Sequence, residues 1–176
     1  MMKIQLLKRE REVTDRGAII KILDKCQILN LGLCDEDQPY VVPLNYGYVM
    51  EDDHLVLYLH GAKEGYKYEV MKKNPKVSFS MVCDAQLFEG KVACQYGMTY
   101  SSIMGKGTIK IIDDVDEKIK ALTILMKIQT GKDFTFNERL VSIVNVMRLD
   151  VTDFTAKHRP LPPVLDGKCE GEKHVK

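Results

Sequence analysis

Residues 27–60 have the sequence QILNLGLCDEDQPYVVPLNYGYVMEDDHLVLYLH, and this stretch decides the fold class. Its first part, residues 27–34, alternates leucines with polar or smaller residues, which is the two-residue period of a β-strand. Two short acidic turns separate this strand from two more predicted strands, over 40–50 and 55–60. Because turns this short join only antiparallel neighbours, the stretch predicts three consecutive antiparallel strands.

Three helices and three more strands are predicted in the rest of the chain. The predicted helices run from an N-cap at Thr14 to about Lys25, over 66–73 up to Asn74-Pro75, and onward from Asp113 or Asp114. The predicted strands are 77–82, 94–112 with a break at 100–102, and 140–154. Six strands with helices at their edges indicate an antiparallel barrel or an α+β domain.

The composition is that of an ordinary globular protein, and it excludes several classes of function. The chain has 176 residues with 26 Lys and Arg against 25 Asp and Glu, so its net charge is +1. This balance argues against a nucleic-acid partner. The sequence contains no run of roughly 18 apolar residues, so no membrane span is predicted. The five cysteines contain no C-x-x-C pair, which favours reduced thiols in a cytoplasmic protein.

One domain accounts for most of the chain. Domains commonly have roughly 100 to 200 residues, and we expect a single domain over residues 1–158. Three of the six prolines follow, at positions 160, 162 and 163. We therefore expect residues 159–176 to form an extended or disordered C-terminal arm.

The first candidate site is Val42-Pro43-Leu44-Asn45, in the second predicted strand. Proline cannot donate a backbone hydrogen bond to a neighbouring strand. The strand is therefore an edge, a bulge, or a place where something else pairs with the backbone. A flat ligand with amide-like donors and acceptors would suit such unpaired groups, although a plain edge strand is the commoner explanation of an isolated proline.

The second candidate site is the segment from His60 to Lys67, where a loop of small residues leads into the short helix. Free N–H groups at a helix start, the helix dipole and the ammonium groups of Lys63 and Lys67 together suit a phosphate. The segment is not a Walker A loop, because neither lysine is followed by Ser or Thr. His60 ends a strand at the rim of this loop and could donate a proton or contact a ring, although a lone histidine is more often structural.

The third candidate site is the segment from Tyr100 to Gly107, which contains Ser102. Hydroxyl groups followed by Gly105 and Gly107 permit a close approach of a ligand to the backbone, whereas a bulged strand explains the same residues without a ligand. A dinucleotide fingerprint is excluded, because Lys110 stands where its third glycine would be. The four histidines have no metal-ligand spacing, so no metal site is predicted.

Taken in order, these segments resemble the FMN-binding split-barrel superfamily related to pyridoxamine 5′-phosphate oxidase, and within it the nitroimidazole-resistance proteins. The resemblance spans about residues 9–155. The matching segments are Arg9 to Asp15, Val42 to Gly47, His60 to Ala62, Asn74-Pro75, Tyr100 to Gly105 and Arg148 to Val151.

The resemblance implies a mainly β fold, a six-stranded antiparallel split barrel with peripheral helices, in a homodimer with flavin at the subunit interface. FMN is the implied cofactor, FAD is the alternative flavin, and haem is less favoured. Lys63 and Lys67 can share a helix face beside the phosphate, if they have helical spacing. The implied cofactor-binding residues are Val42, Pro43, Leu44, Asn45, His60, Gly61, Ala62, Lys63, Lys67 and Ser102.

The activity implied by the resemblance is reduction of small electron-poor substrates, nitroaromatics such as 5-nitroimidazoles among them. His60 is the candidate catalytic residue, as a proton donor. The alternatives are a non-catalytic flavin or haem carrier or sensor, and an interaction module that kept the barrel without its cofactor. The electron donor stays open, because no fingerprint marks a nicotinamide domain.

The chain departs from the family pattern at two places. The oxidases close with a tryptophan and an Arg-Leu-x-Pro-like ending, whereas this chain has no tryptophan and ends its match with Arg159-Pro160-Leu161-Pro162. Oxidation of pyridoxamine phosphate is therefore not expected. Lys106 also stands where the resistance proteins usually have an apolar residue, which bears on the shape of the pocket.

Overall fold

Seven β-strands form one antiparallel sheet that closes on itself. In this computed structural model, which describes residues 9–52 and 54–162, the strands are β1 (Glu12–Val13), β2 (Ile28–Asp35), β3 (Gln38–Glu51), β4 (His54–Gly61), β5 (Lys76–Phe88), β6 (Gly97–Ile111) and β7 (Asn145–Arg159). The α-helices are α1 (Arg16–Lys25), α2 (Tyr66–Lys73), α3 (Val115–Thr130) and α4 (Glu138–Val141), and turns of 3-10 helix lie at Arg9–Arg11 and Ala93–Gln95.

The sheet closes because β7 pairs with both ends of the strand order. Neighbouring strands follow the order β7, β4, β3, β2, β5, β6, and β6 then pairs back to β7. Strand β1 adds only Glu12 and Val13, beside β7. The predicted mainly β, antiparallel barrel with peripheral helices is confirmed, and the seventh strand is a two-residue addition to the six that were expected.

Apolar clusters lie on both sides of the barrel wall. Side chains from alternate strand positions fill the interior, among them Leu29, Leu31, Leu57, Leu59 and Met147. Helix α3 covers a second cluster on the outside, which includes Val56, Tyr58, Ala121, Leu122 and Val146. Burying one such side chain contributes roughly 1.5–3 kcal/mol, so both clusters stabilise the wall from which the candidate site is built.

Helix α3 lies directly on the backbone of β3. A Cβ atom at Gly47 would be 2.5 Å from the Leu125 Cα and 2.6 Å from its nitrogen, so only glycine permits this approach. Further along the helix, Gln129 donates a side-chain hydrogen bond of 2.7 Å to the Tyr46 carbonyl. The C-terminal part of β3 is therefore covered and closely packed.

The helix boundaries confirm some predictions and correct others. Helix α2 covers the predicted residues, and Asp114 is the N-cap of α3, where its carboxylate accepts from the Glu117 N–H. The prediction that Thr14 caps α1 is wrong, because the Asp15 carboxylate accepts the Ala18 N–H at 2.8 Å. No helix within residues 9–52 and 54–162 is long and apolar enough to cross a membrane.

Three strand boundaries differ from the predictions. Strand β6 has no break at residues 100–102, because these residues pair with β7. The register shifts instead in β5 between Cys83 and Gln86, and in the β6–β7 ladder between Lys106 and Gly107. Residues 140 and 141 belong to α4, since Asn137 caps that helix by accepting the Leu140 N–H. Of the predicted arm over 159–176, Arg159 is the last residue of β7, and residues 163–176 lie outside the described chain.

Candidate functional site

Strand β3 has two halves with different neighbours. Residues 46–51 pair with β4, from Tyr46 opposite Leu59 to Glu51 opposite His54. Residues 38–45 pair with β2 alone among the described strands. This N-terminal half of β3 therefore has an unpaired side, called the open edge below, facing away from β2.

Two prolines show which backbone groups face the open edge. Pro39 and Pro43 both lie within the ladder that joins β3 to β2. Because proline has no N–H to donate to β2, both belong at positions whose backbone groups point away from that strand. Val41 and Asn45 have the same parity along β3, so their N–H and C=O groups point to the open edge.

The side chains of this half of β3 alternate between two environments. Val41 and Pro43 are exposed on the outer face of the barrel, and Asn45, at the same parity, is partly buried there. Val42 and Leu44 pack against the inner core instead. Of the four residues predicted in this strand, Pro43 and Asn45 therefore face the outer surface with their side chains, whereas Val42 and Leu44 place their side chains in the core and direct their backbone groups to β2.

His60 lies where β3 and β4 separate. Asn45 and His60 are the residues next to the last pair of that ladder, Tyr46 with Leu59, and both belong to the outer face. The His60 Nδ1 atom is buried and has no hydrogen-bond partner within the described chain. Burial lowers the pKa of His60, so its imidazole is uncharged at neutral pH.

The loop between β4 and α2 is tied to β7 and ends in an unusual conformation. The Asn145 side chain donates a 2.7 Å hydrogen bond to the Lys63 carbonyl. Gly65 has a φ of 144° and precedes α2 with no side-chain cap from the described residues. The first N–H groups of α2 are therefore left without a capping side chain, which, with the helix dipole, favours an anion.

The lysines around α2 fall into two groups. Lys72 and Lys73 lie 3.2 Å from the carboxylates of Glu69 and Asp35. Neither Lys63 nor Lys67 meets a carboxylate in the part of the chain that the structure describes. Lys63 precedes the helix, so the helical spacing that predicted a shared face with Lys67 does not apply. The two uncompensated lysines are nevertheless those that the sequence assigned to a phosphate.

Gly61 leaves room for a polar contact that the sequence did not predict. A Cβ atom there would lie 2.6 Å from the Tyr68 hydroxyl and 3.2 Å from the Lys67 Nζ, which itself lies 4.4 Å from the Tyr68 ring centre. The hydroxyl is buried and makes no hydrogen bond of standard geometry to a described residue. Burial raises the pKa of Tyr68, and the nearby Asn145 amide opposes part of that rise.

A cleft of about 570 Å³ opens beside the Tyr68 side chain. Its lining includes Lys63, Gly65, Tyr68, Lys72, Asp113 and Asn145. The lining also includes Glu64 and Glu69, so its charge is mixed. The buried Tyr68 hydroxyl, with hydrogen-bonding capacity to spare, and the uncompensated Lys63 suit a polyol or an anionic group in that part of the cleft. Among the described residues, no three His, Cys, Asp or Glu side chains are grouped so as to hold a metal ion.

Ser102 is not brought to the same place within one chain. It is 9% exposed on β6, opposite Val82 of β5. Asn45 lies opposite Ile28 of β2, so three strand spacings, roughly 14 Å, separate the Asn45 and Ser102 positions. Ser102 does share the outer face of the sheet with Pro43 and Asn45.

The outer face of β2, β5, β6 and the N-terminal half of β3, called the bare face below, has no described helix over it. Large apolar side chains are exposed along it: Ile28, Val41, Val82, Leu87, Met98 and Met104. Lys106, which departs from the family pattern, is turned to Asp153 at 3.5 Å. A groove of about 860 Å³ runs along the bare face and includes Gly32, Val41, Ser78 and Lys106 in its lining.

Comparison with known proteins adds a family and several similar structures. Residues 15–158 match the family described as pyridoxamine 5′-phosphate oxidase. A Bacteroides thetaiotaomicron protein, provisionally described as a 5-nitroimidazole antibiotic resistance protein, is 32% identical, with a TM-score of 0.70. The match covers 84% of this chain and 86% of that one. No curated protein matches the chain in sequence.

Two more distant structures share the fold alone. An FAD and haem binding protein from Mycobacterium smegmatis is 16% identical, with a TM-score of 0.74 over 87% of this chain and 75% of that one. A flavocytochrome from Azotobacter vinelandii is 18% identical, with a TM-score of 0.73 over 92% of this chain and 75% of that one.

Proposed function

The chain belongs to the pyridoxamine 5′-phosphate oxidase family, whose members are flavin-binding split barrels, and from this premise we propose that it binds FMN and reduces small electron-poor substrates. Nitroaromatic compounds are the substrate class that we favour, because the 32% identical protein is provisionally linked to 5-nitroimidazole resistance. The observation that carries the proposal is the open edge of β3, which the contact between Tyr40 and Tyr66 connects to the uncapped start of α2 with its uncompensated lysines.

The start of α2 supports binding of the phosphate group. A flavin phosphate carries nearly two negative charges at neutral pH. Lys67, Lys63 and the first N–H groups of α2 supply positive potential, and no described carboxylate neutralises either lysine. The Tyr68 hydroxyl and the space over Gly61 provide an additional donor and room for a close approach.

The open edge supports binding of the flavin ring. The backbone groups of Val41 and Asn45 offer donors and acceptors to a flat ring whose edge carries amide-like groups. The exposed side chains of Val41 and Pro43 supply apolar surface next to them. Bound flavin supplies the electron-transfer chemistry, and the chain supplies binding and orientation.

His60 fits a contact role better than that of a proton donor. A proton donor at neutral pH needs an appreciable imidazolium population, whereas burial lowers the pKa of this histidine. A neutral imidazole can still exchange a hydrogen bond through its unpartnered Nδ1. We therefore propose that His60 orients the cofactor or substrate, and that the proton comes from solvent.

A second copy of the chain completes this proposal. Ser102 lies about three strands from Asn45 within one chain, so one flavin could contact both only across an interface. The bare face offers exposed apolar side chains, and Lys106 on it is paired with Asp153, which suits the core of a dimer interface. We propose that the bare faces of two copies meet and that each brings Ser102 towards the flavin of the other.

Two measurements test the function. The purified protein is titrated with FMN, FAD and haem, and the FMN-loaded protein is then reduced chemically without oxygen and mixed with a 5-nitroimidazole. We expect tightest binding of FMN, and return of the oxidised-flavin absorbance only when the nitro compound is added. Preference for haem would contradict the cofactor, and reduced protein that stays reduced would favour a carrier or sensor.

A further inference from the structure

One carboxylate outside the site holds both ends of helix α2. Asp35 is the last residue of β2, and it is only 20% exposed at its side chain. It accepts a short hydrogen bond from the hydroxyl of Tyr66, the first residue of α2. It also accepts one of 3.2 Å from the Nζ of Lys73, the last residue of α2. The helix is thus attached to the β2–β3 turn at its start and at its end.

An aromatic contact strengthens the attachment at the helix start. The ring of Tyr66 packs edge-to-face on the ring of Tyr40, with 5.2 Å between ring centres. Tyr40 lies in the half of β3 that has the open edge and packs against the inner core. The Tyr66 side chain therefore connects the start of α2 with the strand that we assign to the flavin ring.

Asp35 is charged at neutral pH, so both contacts are charge-assisted. Hydrogen bonds from Tyr66 and Lys73 hold the pKa of Asp35 below its ordinary value. Hydrogen bonds to an ionised carboxylate are stronger than those between neutral groups. The same carboxylate neutralises Lys73, as Glu69 neutralises Lys72, and leaves Lys63 and Lys67 as the cations without carboxylate partners among the described residues near α2.

We propose that Asp35 is a positioning residue that fixes the start of α2 and so sets the preference of the site for a phosphorylated flavin over riboflavin. The inference rests on the proposed binding of FMN. Asp35 does not itself face the cofactor. It acts through Tyr66, which precedes Lys67 in the chain and holds the first turn of α2, with its N–H groups and Lys67, in one place.

The test compares the affinities for FMN and riboflavin, which differ only in the phosphate. In Asp35→Asn the side chain keeps its size and loses its charge, and we expect FMN to bind about fivefold to tenfold more weakly. This is less than for direct loss of a hydrogen bond to a charged group, because Asp35 acts on the ligand through Tyr66. Riboflavin affinity should change less than about twofold, since no phosphate is involved. Asp37→Asn, in the same acidic turn, is the matched control and should change neither affinity.

A second variant keeps the test decisive if Asp35→Asn folds poorly. Tyr66→Phe keeps the ring on Tyr40 and removes only the hydroxyl, so it should show part of the same selective loss of FMN affinity. Equal weakening of FMN and riboflavin, or an unchanged FMN preference in both variants, would overturn this inference while wild-type binding of FMN stood. Wild-type protein that binds neither flavin would overturn the proposed function, and this inference with it.

Discussion

The two halves of strand β3 have the same backbone conformation but different neighbours. The half over 46–51 pairs with β4 and is covered by α3, which lies on Gly47. The half over 38–45 pairs on one side only and is bare on its outer face. The half over 46–51 is stabilised by neighbours on both of its sides and by α3, whereas the half over 38–45 leaves hydrogen-bonding groups and apolar surface available. Where a strand loses its neighbour, the fold offers a ligand the contacts that the strand would otherwise make.

The largest effect is expected from a substitution that disrupts the covered half of β3, residues 46–51. In Gly47→Ala the new Cβ would meet the backbone of Leu125, which cannot move without displacing α3. We expect the free energy of unfolding in urea to fall by about 3 kcal/mol, at the upper end for overpacking. Gly131→Ala is the control, because its φ of 69° is strained but the space is open, and it should cost about 1 kcal/mol. Equal losses would show that the contact with α3 is not tight.

The next largest effect is expected from a substitution that disrupts the bare face as a dimer interface. Met104 is 51% exposed at the middle of that face, so Met104→Glu would place two charges in the proposed interface. Burial of an unpaired charge should shift the dimer to monomer by about 100-fold or more in dissociation constant, measured by analytical ultracentrifugation. Phe134→Glu, an exposed apolar position in the loop after α3, should leave the dimer unchanged. A wild-type monomer would contradict the proposed interface directly.

A third effect concerns the ligand beside the open edge. Lys67→Met keeps the aliphatic stem and removes the charge, and we expect FMN affinity to fall about tenfold to a hundredfold, as for loss of a hydrogen bond to a charged group. Lys72→Met removes a lysine that is already paired with Glu69 and should have little effect. Fluorescence titration measures both. A larger loss in Lys72→Met would assign the phosphate to Lys72 in place of Lys67.

The smallest effect is a pH dependence at His60. Burial lowers the pKa of His60, so the folded protein favours the neutral imidazole. The contribution of this preference to the stability of the folded protein is fully present above about pH 6.5. It is lost as the pH falls through the lowered value, because protonation then places a charge in a buried position. We expect FMN affinity to weaken a few-fold more between pH 7.5 and 5 in the wild type than in His60→Gln. An identical decline in both proteins would assign it to the phosphate group.

Local signals in the sequence were sufficient for much of the fold. The helix over 66–73 was predicted at both ends, because Gly65 and Asn74-Pro75 act within a few residues of those ends. Thr14 and Asp15 are both good N-caps, and which of them accepts the Ala18 N–H depends on how α1 enters the barrel. The placement of Leu140 in a helix was missed, because the Asn137 cap competes with an apolar pattern that also suits a strand.

The site was predictable only in part. Pro43 and the lysines near α2 can be recognised from the sequence, because the missing N–H of proline and the charge of lysine do not depend on the fold. The roles of the Tyr68 hydroxyl and the Asp35 carboxylate depend on segments that are distant in the sequence. From the local sequence, Tyr68 looks like an apolar position of a helix, and Asp35 looks like an ordinary turn residue. The separation of Ser102 from Asn45 depends on the strand order, which follows from the closure of the sheet.

Hydrogen exchange along β3, with and without FMN, tests the central claim most directly. We predict that the amides of Val41 and Asn45 exchange rapidly in the free protein and become protected when FMN is bound. The amides of Gly47 and Val49, which lie in the covered half, should be protected in both states. Binding of FMN with no new protection over residues 38–45, or with protection confined to another part of the barrel, would contradict the assignment of the open edge to the flavin.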